Sequence, residues 1–204
     1  MKPRIEQKLH FDRTDYPGFL RWMQNNGGTV LHPDRSIHST YFDSVGLQMF
    51  RDTEEGVVPR KKVRIRCYGS HSPGCRADHF AEVKQTTERQ RLKETRRCDD
   101  WQHLHDIGID DPQYGVCRPV VGVSYRRSYY ELMGVRVTVD QDITYHSADT
   151  FSITQQSVSD PSIAIEIKAP AQTDLDYLNT SFPFPRIHFS KYERAVLAVK
   201  PKRL

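Results

Sequence analysis

The chain lacks any apolar run near the ~18 residues that a membrane-spanning helix requires, so a helical membrane protein is not expected. Its opening, Met1-Lys2-Pro3-Arg4-Ile5-Glu6, is charged and polar at once and carries no signal-peptide core. A cytoplasmic location is expected from the two together. Cysteine is scarce. Cys67, Cys75, Cys98 and Cys117 are the four, none spaced as C-x-x-C, and free thiols are expected. There is no Ser-His-Asp arrangement, no glycine-rich phosphate loop and no dinucleotide fingerprint. A large excess of one charge is missing as well. The net charge of +4 over 204 residues makes no general polyanion glue, and nucleic acid is not the expected partner. Without repeats, low-complexity tracts or a long linker, residues 1–204 read as a single domain.

What the chain does have is charge at every second position. Val63-Arg64-Ile65-Arg66-Cys67, Ala81-Glu82-Val83-Lys84, Val135-Arg136-Val137-Thr138-Val139-Asp140 and Ile165-Glu166-Ile167-Lys168 alternate apolar with charged or polar, and Glu6-Gln7-Lys8-Leu9 is a weaker copy. A period of two marks β-strands, whose successive side chains point to opposite faces. Strands are expected at 4–10, 36–42, 60–68, 79–85, 119–130, 135–144 and 162–169. A hairpin turn is expected at Leu132-Met133-Gly134, and a loop over 69–78. Phe151-Ser152-Ile153 offers a brief pairing. Asp15 and Pro17 predict the start of a helix that Gly27-Gly28 ends, and Asp174 and Ser190 predict caps of two later helices. Residues 99–109 read as a short helix. Residues 46–52 read as a further strand or a connection, and 87–97 as a polar stretch.

An antiparallel sheet with one wet face also alternates in this way. Two details set this chain apart. Arginine dominates the polar face, through Arg60, Arg64, Arg66, Arg127 and Arg136, and its rigid fork suits bidentate phosphate contact. Glutamate and lysine also share a face at i, i+2 in Glu6/Lys8, Glu82/Lys84 and Glu166/Lys168. Such pairs place carboxylates for a divalent cation beside cations for phosphate. If the sheet closed into a barrel these faces would line it, and burying such charges unpaired is prohibitive. A lumen of that kind needs anions, metal and water.

The ordered set of motifs resembles the VTC domain, the polyphosphate-polymerase branch of the CYTH or triphosphate tunnel metalloenzyme superfamily, in its stand-alone bacterial form. Arg4-Ile5-Glu6-Gln7-Lys8, Ser39-Thr40-Tyr41-Phe42-Asp43, Lys62-Val63-Arg64-Ile65-Arg66-Cys67-Tyr68-Gly69, Glu82-Val83-Lys84, Val123-Ser124-Tyr125-Arg126-Arg127, Arg136-Val137-Thr138-Val139-Asp140, Glu166-Ile167-Lys168 and Phe189-Ser190-Lys191-Tyr192 carry the likeness. It implies an α+β fold, an antiparallel β-barrel forming a tunnel with helices packed outside. It implies that Arg64, Arg66, Arg136 and Lys191 act on the terminal phosphate, while Lys8, Lys84, Tyr125, Arg127, Lys168 and Ser190 hold substrate. Glu166 would be the principal metal ligand for Mn²⁺ or Mg²⁺, with Glu6 and Glu82 behind it. The alternating glutamates usual before the first lysine are reduced here to Arg4, Glu6 and Lys8, and a basic position near the end is His188. The implied function is transfer of the terminal phosphate of a nucleoside triphosphate such as ATP to polyphosphate, with pyrophosphate and polyphosphate as further ligands. A metal-dependent triphosphatase and a non-catalytic phosphate-binding module are the alternatives. His103-Leu104-His105 reads as surface decoration.

Overall fold

The computed structural model describes residues 4–69, 78–148 and 157–199. Cys75, most of the expected 69–78 loop and the expected pairing at Phe151–Ile153 lie outside the described residues. Ten strands and five helices are present among the described residues. In chain order they are β1 (Arg4–Phe11), α1 (Tyr16–Asn25), β2 (Thr29–Asp43), α2 (Gln48–Glu54), β3 (Arg60–Tyr68), β4 (His79–Thr86) and β5 (Arg91–Arg97). Then come α3 (Trp101–Ile107), β6 (Ile109–Asp111), β7 (Gly115–Leu132), β8 (Val135–Ser147), β9 (Val158–Asp160), β10 (Ile163–Pro170), α4 (Leu175–Ser181) and α5 (Lys191–Val199). The fold is α+β and the pairings β1–β10, β10–β8, β2–β3, β3–β4, β4–β5 and β6–β7 are all antiparallel.

The chain divides into two compact units, and strands β2, β7 and β8 each run from one into the other. The first comprises residues 4–35, 125–143 and 160–189. Its strand order is β1-β10-β8-β7. Val135, Val137 and Val139 of β8 and Ile163, Ile165 and Ile167 of β10 are buried on one face, against Tyr16, Phe19 and Met23 of α1, Leu178 of α4 and Phe182. Burying each such side chain stabilises by about 1.5–3 kcal/mol, so the alternation alone fixes which face turns inward. β7 and β8 join through Met133 and Gly134, both at positive φ (52° and 72°), as a tight two-residue hairpin demands. Asp15 stands at the start of α1, but its side chain makes no cap hydrogen bond, whereas Asp174 accepts from the Asp176 N–H as expected.

The second unit comprises residues 36–124, 144–159 and those from 190. Its strand order is β7-β2-β3-β4-β5, with β6 beside β7 and β9 beside β8. Phe42, Val63, Ile65 and Ala81 pack with Met49 of α2, Cys98, Tyr114 and Cys117, and Trp101 and Leu104 of α3 lie against them. Cys67, Val63 and Ile65 are buried on one face of β3, and the three described cysteines are buried thiols outside any disulfide.

The short strands β6 and β9 were not expected, and two longer elements also differ from expectation. Residues 48–54 form a helix because the Asp43 carboxylate accepts the Ser44, Met49 and Phe50 N–H groups, a tertiary cap from six residues upstream that no local pattern announces. Residues 91–97 form a strand although all seven side chains are exposed. β4 organises them through backbone hydrogen bonds rather than through burial.

Candidate functional site

Each unit carries a charged strand face opposite its core. In the first, cross-strand register places Glu6 beside Lys168 and Lys168 beside Arg136. One row on, it places Lys8 beside Glu166 and Glu166 beside Thr138. Lys168 Nζ lies 3.5 Å from Glu6 and 3.3 Å from Glu166, joining the two carboxylates. Lys8 donates to the Phe189 carbonyl. Arg127 forks onto Asp140 at 2.5 and 2.7 Å, with its guanidinium 5.3 Å from the centre of the Tyr125 ring. Burial opposes ionisation of Glu166, but Lys168, Arg127 and Lys8 outweigh it and hold the carboxyl below its ordinary range. Arg136 Nε is buried with no hydrogen-bond partner among the described residues.

The second unit repeats the theme with an excess of cations. Register runs Tyr41, Arg64, Glu82 across β2, β3 and β4, and Lys62 lies opposite Lys84, which lies opposite Lys93. Glu82 is 3% exposed and accepts from Arg64 Nε at 2.7 Å and Lys93 Nζ at 2.8 Å, with Arg66 Nη1 at 3.5 Å. Burial would push Glu82 up, yet Arg64, Arg66 and Lys93 bring it down to about 2. Arg64 also donates to Tyr41 Oη at 2.9 Å. Burial raises the Tyr41 phenol, but Arg64, Arg66 and Lys191 outweigh it and lower its pKa. Lys62 donates to Ser190 Oγ at 2.9 Å and to Glu193 at 3.0 Å, tying β3 to the first turn of α5.

Among the described residues no three His, Cys, Asp or Glu side chains converge on a metal position. Glu6 and Glu166 do reach one point, since a single ammonium touches both. Two carboxylates completed by phosphate oxygens and water suit Mg²⁺ or Mn²⁺, which seldom take an all-protein cage. The residues therefore fit a cation that arrives with substrate. Glu82, enclosed by three cations, has its charge committed to them.

The VTC domain model matches residues 1–107 and 102–200. The chain belongs to the VTC domain family. A solved structure of a “putative adenylate cyclase” from Vibrio parahaemolyticus is similar in fold to this VTC domain, with a TM-score of 0.55 over 96% of this chain and 98% of that one at 13% identity. No curated protein matches. Family and fold together place the VTC domain in the triphosphate tunnel superfamily. Members of that superfamily generally depend on a divalent metal. No helix among the described residues is long and apolar enough to cross a membrane.

Of the residues singled out from sequence, Glu6, Lys8, Tyr125, Arg127, Arg136, Glu166 and Lys168 belong to the first unit. Arg64, Arg66, Glu82, Lys84, Ser190 and Lys191 belong to the second. Arg51 is exposed, and Arg60 donates to the Gly56 and Val57 carbonyls of the preceding turn. His103 and His188 are exposed. Sequence reasoning assigned no role to Tyr41, Lys62, Lys93 or Asp140. Lys62 was readable by carrying the Arg64/Arg66 alternation two residues back. Lys93 was not, because its strand has no apolar face.

Proposed function

We propose that this VTC domain is a polyphosphate polymerase-like phosphotransferase, acting in the cytoplasm as one domain of residues 1–204. It moves the terminal phosphate of a nucleoside triphosphate such as ATP to pyrophosphate or a polyphosphate chain. The observation that carries the reading is a pair of arginines, Arg66 and Arg136, each on a charged strand face with a buried Nε that has no partner. A buried guanidinium donor without an acceptor is costly, and a phosphate oxygen supplies the missing acceptor.

Arg64, Arg66, Arg136 and Lys191 act on the terminal phosphate. Lys8, Lys84, Tyr125, Arg127, Lys168 and Ser190 hold the remaining phosphates. Glu166, with Glu6 behind it, would hold Mn²⁺ or Mg²⁺, which when bound supplies further neutralisation of phosphate charge. An oxygen of the acceptor's end phosphate attacks phosphorus in line, forming one P–O bond as the bond to the departing nucleoside diphosphate breaks. No protein nucleophile is required, since phosphoryl transfer depends mainly on positioning and charge stabilisation. The ion pairs seen without substrate keep the cations in place, and phosphate displaces the carboxylates as it enters. The motif residues all address phosphates, so the base should be read poorly.

Incubation with ATP and Mn²⁺ tests the proposal, and long polyphosphate is the expected product. Free phosphate alone would make the protein a triphosphatase, and neither product would make it a binding module. Glu166→Gln should keep the fold and anion binding and abolish metal-dependent turnover. Full activity of that variant would remove Glu166 from the mechanism.

A further inference from the structure

Two rows of the β2–β3 ladder differ in one respect. In the Tyr41/Arg64 row every polar group is engaged, with Arg64 donating to Tyr41 Oη at 2.9 Å and to Glu82 at 2.7 Å. In the next row Ser39 stands directly opposite Arg66, and each keeps one polar atom without a partner among the described residues. Ser39 is 4% exposed and Arg66 6% exposed, and both Ser39 Oγ and Arg66 Nε are buried without a hydrogen-bond partner. The remaining contacts of the Arg66 guanidinium are long, 3.5 Å to Tyr68 Oη and 3.5 Å to Glu82 Oε1. Glu82 is already the acceptor for Arg64 and Lys93 at shorter range. Arg66 is thus a buried cation whose nearest carboxylate serves two other cations, next to a hydroxyl with nothing to bond.

We propose that Ser39 and Arg66 form a seat for one phosphate group, with the Ser39 hydroxyl as a binding residue of the charged face in its own right. The inference rests on the phosphate reading above and deepens it. A tetrahedral oxyanion matches the pair in three ways. It accepts from a hydroxyl and from a guanidinium Nε–H together, it supplies at close range the negative charge that Glu82 offers Arg66 only at 3.5 Å, and it requires no carboxylate to move toward Arg66. Neither donor is reached by solvent in the absence of ligand, and the 3.5 Å contacts of Arg66 restrain it weakly. The guanidinium turns and the row opens as the anion enters. Ser39 has no charge and stands between Ile37 and Tyr41 on its face of β2, which is why its motif position by itself points to no role.

Calorimetric titration and thermal melting with tripolyphosphate, pyrophosphate and orthophosphate test the seat. The wild type should bind tripolyphosphate. Ser39→Ala should weaken that binding about 10- to 150-fold, as expected for one lost hydrogen bond to a charged group, without lowering the melting temperature of the free protein. Ser39→Thr, which keeps the hydroxyl and suits a strand, should retain the affinity. In an Arg66→Ala background the Ser39→Ala loss should largely vanish, because the two groups grip the same phosphate. Wild-type affinity in Ser39→Ala, or a loss that simply adds to that of Arg66→Ala, overturns the seat while leaving the phosphate reading in place. A lower melting temperature of free Ser39→Ala would reveal a structural partner for the hydroxyl and also overturn it. No binding of any of the three anions by the wild type overturns both.

Discussion

Glu82 holds three cations around one carboxylate, and its pH behaviour follows from that arrangement. Its folded pKa of about 2 lies below the ordinary 4.5. The stability it contributes is therefore complete above about pH 4.5 and drains away as pH falls toward 2, when the carboxyl takes up a proton in the folded state as well. A shift of that size corresponds to roughly 3 kcal/mol. Glu82→Gln leaves Arg64, Lys93 and Arg66 without a counter-charge and should cost about 3 kcal/mol at pH 7. Urea unfolding of both proteins across pH 2–7 checks this. The gap should be constant above pH 5 and close as the pH approaches 2. A gap that persists at low pH would mean that the loss arises from packing rather than from charge. Glu166 shares the same sign, but its cations include Lys168, which also touches Glu6, so single substitutions there are expected to couple.

Among the elements, β7 and β8 show how one missing side chain sets a packing arrangement. A Cβ added at Gly122 of β7 would overlap the His146 imidazole of β8. The glycine is thus required for close approach, and it keeps a negative φ that any residue adopts. Gly122→Ala should destabilise by about 1–3 kcal/mol through overpacking. Removing the ring should relieve that overlap, so a double-mutant cycle with His146→Ala should show a coupling of about 1 kcal/mol or more. Strict additivity would place the cost of the alanine elsewhere. Helix α5 depends on a different element. Lys62 of β3 bonds Ser190 and Glu193 in its first turn. Lys62→Ala should therefore raise hydrogen exchange across residues 191–199, and unchanged protection there would show that Tyr192 packing alone holds the helix.

For the whole molecule the expected signature is ligand-dependent stability. A ligand that binds only the folded state stabilises it by mass action, by about 2.7 kcal/mol at a hundredfold excess over Kd. Triphosphate, pyrophosphate and polyphosphate should raise the melting temperature, and the effect should shrink with added salt because the contacts are ionic. Adenosine should have no effect. Equal stabilisation by adenosine and ATP would point to a base-reading pocket and against the phosphate reading.

Much of the fold was legible in the residues because a period of two, once one face is apolar, leaves little freedom. The β3, β8 and β10 strands, the Leu132–Gly134 hairpin and the buried position of Cys67 all follow from alternation and turn chemistry. The same alternation put Arg64, Arg66, Glu82, Arg136, Glu166 and Lys168 on polar faces, and the motif order named the family. Local pattern had no access to α2, whose cap is Asp43 reaching across a turn, or to β5, which has no buried side chain and exists through its backbone bonds to β4. Nor did it contain the division of labour among the carboxylates. Glu6, Glu82 and Glu166 look alike in sequence, each two residues before a lysine. Only the folded chain surrounds Glu82 with Arg64, Arg66 and Lys93 and leaves Glu6 and Glu166 sharing one ammonium, because charge pairing depends on neighbours that are distant in sequence. The unmet Ser39 hydroxyl and Arg66 Nε appear for the same reason, since an unmet hydrogen bond is a property of surroundings and is written in no single residue.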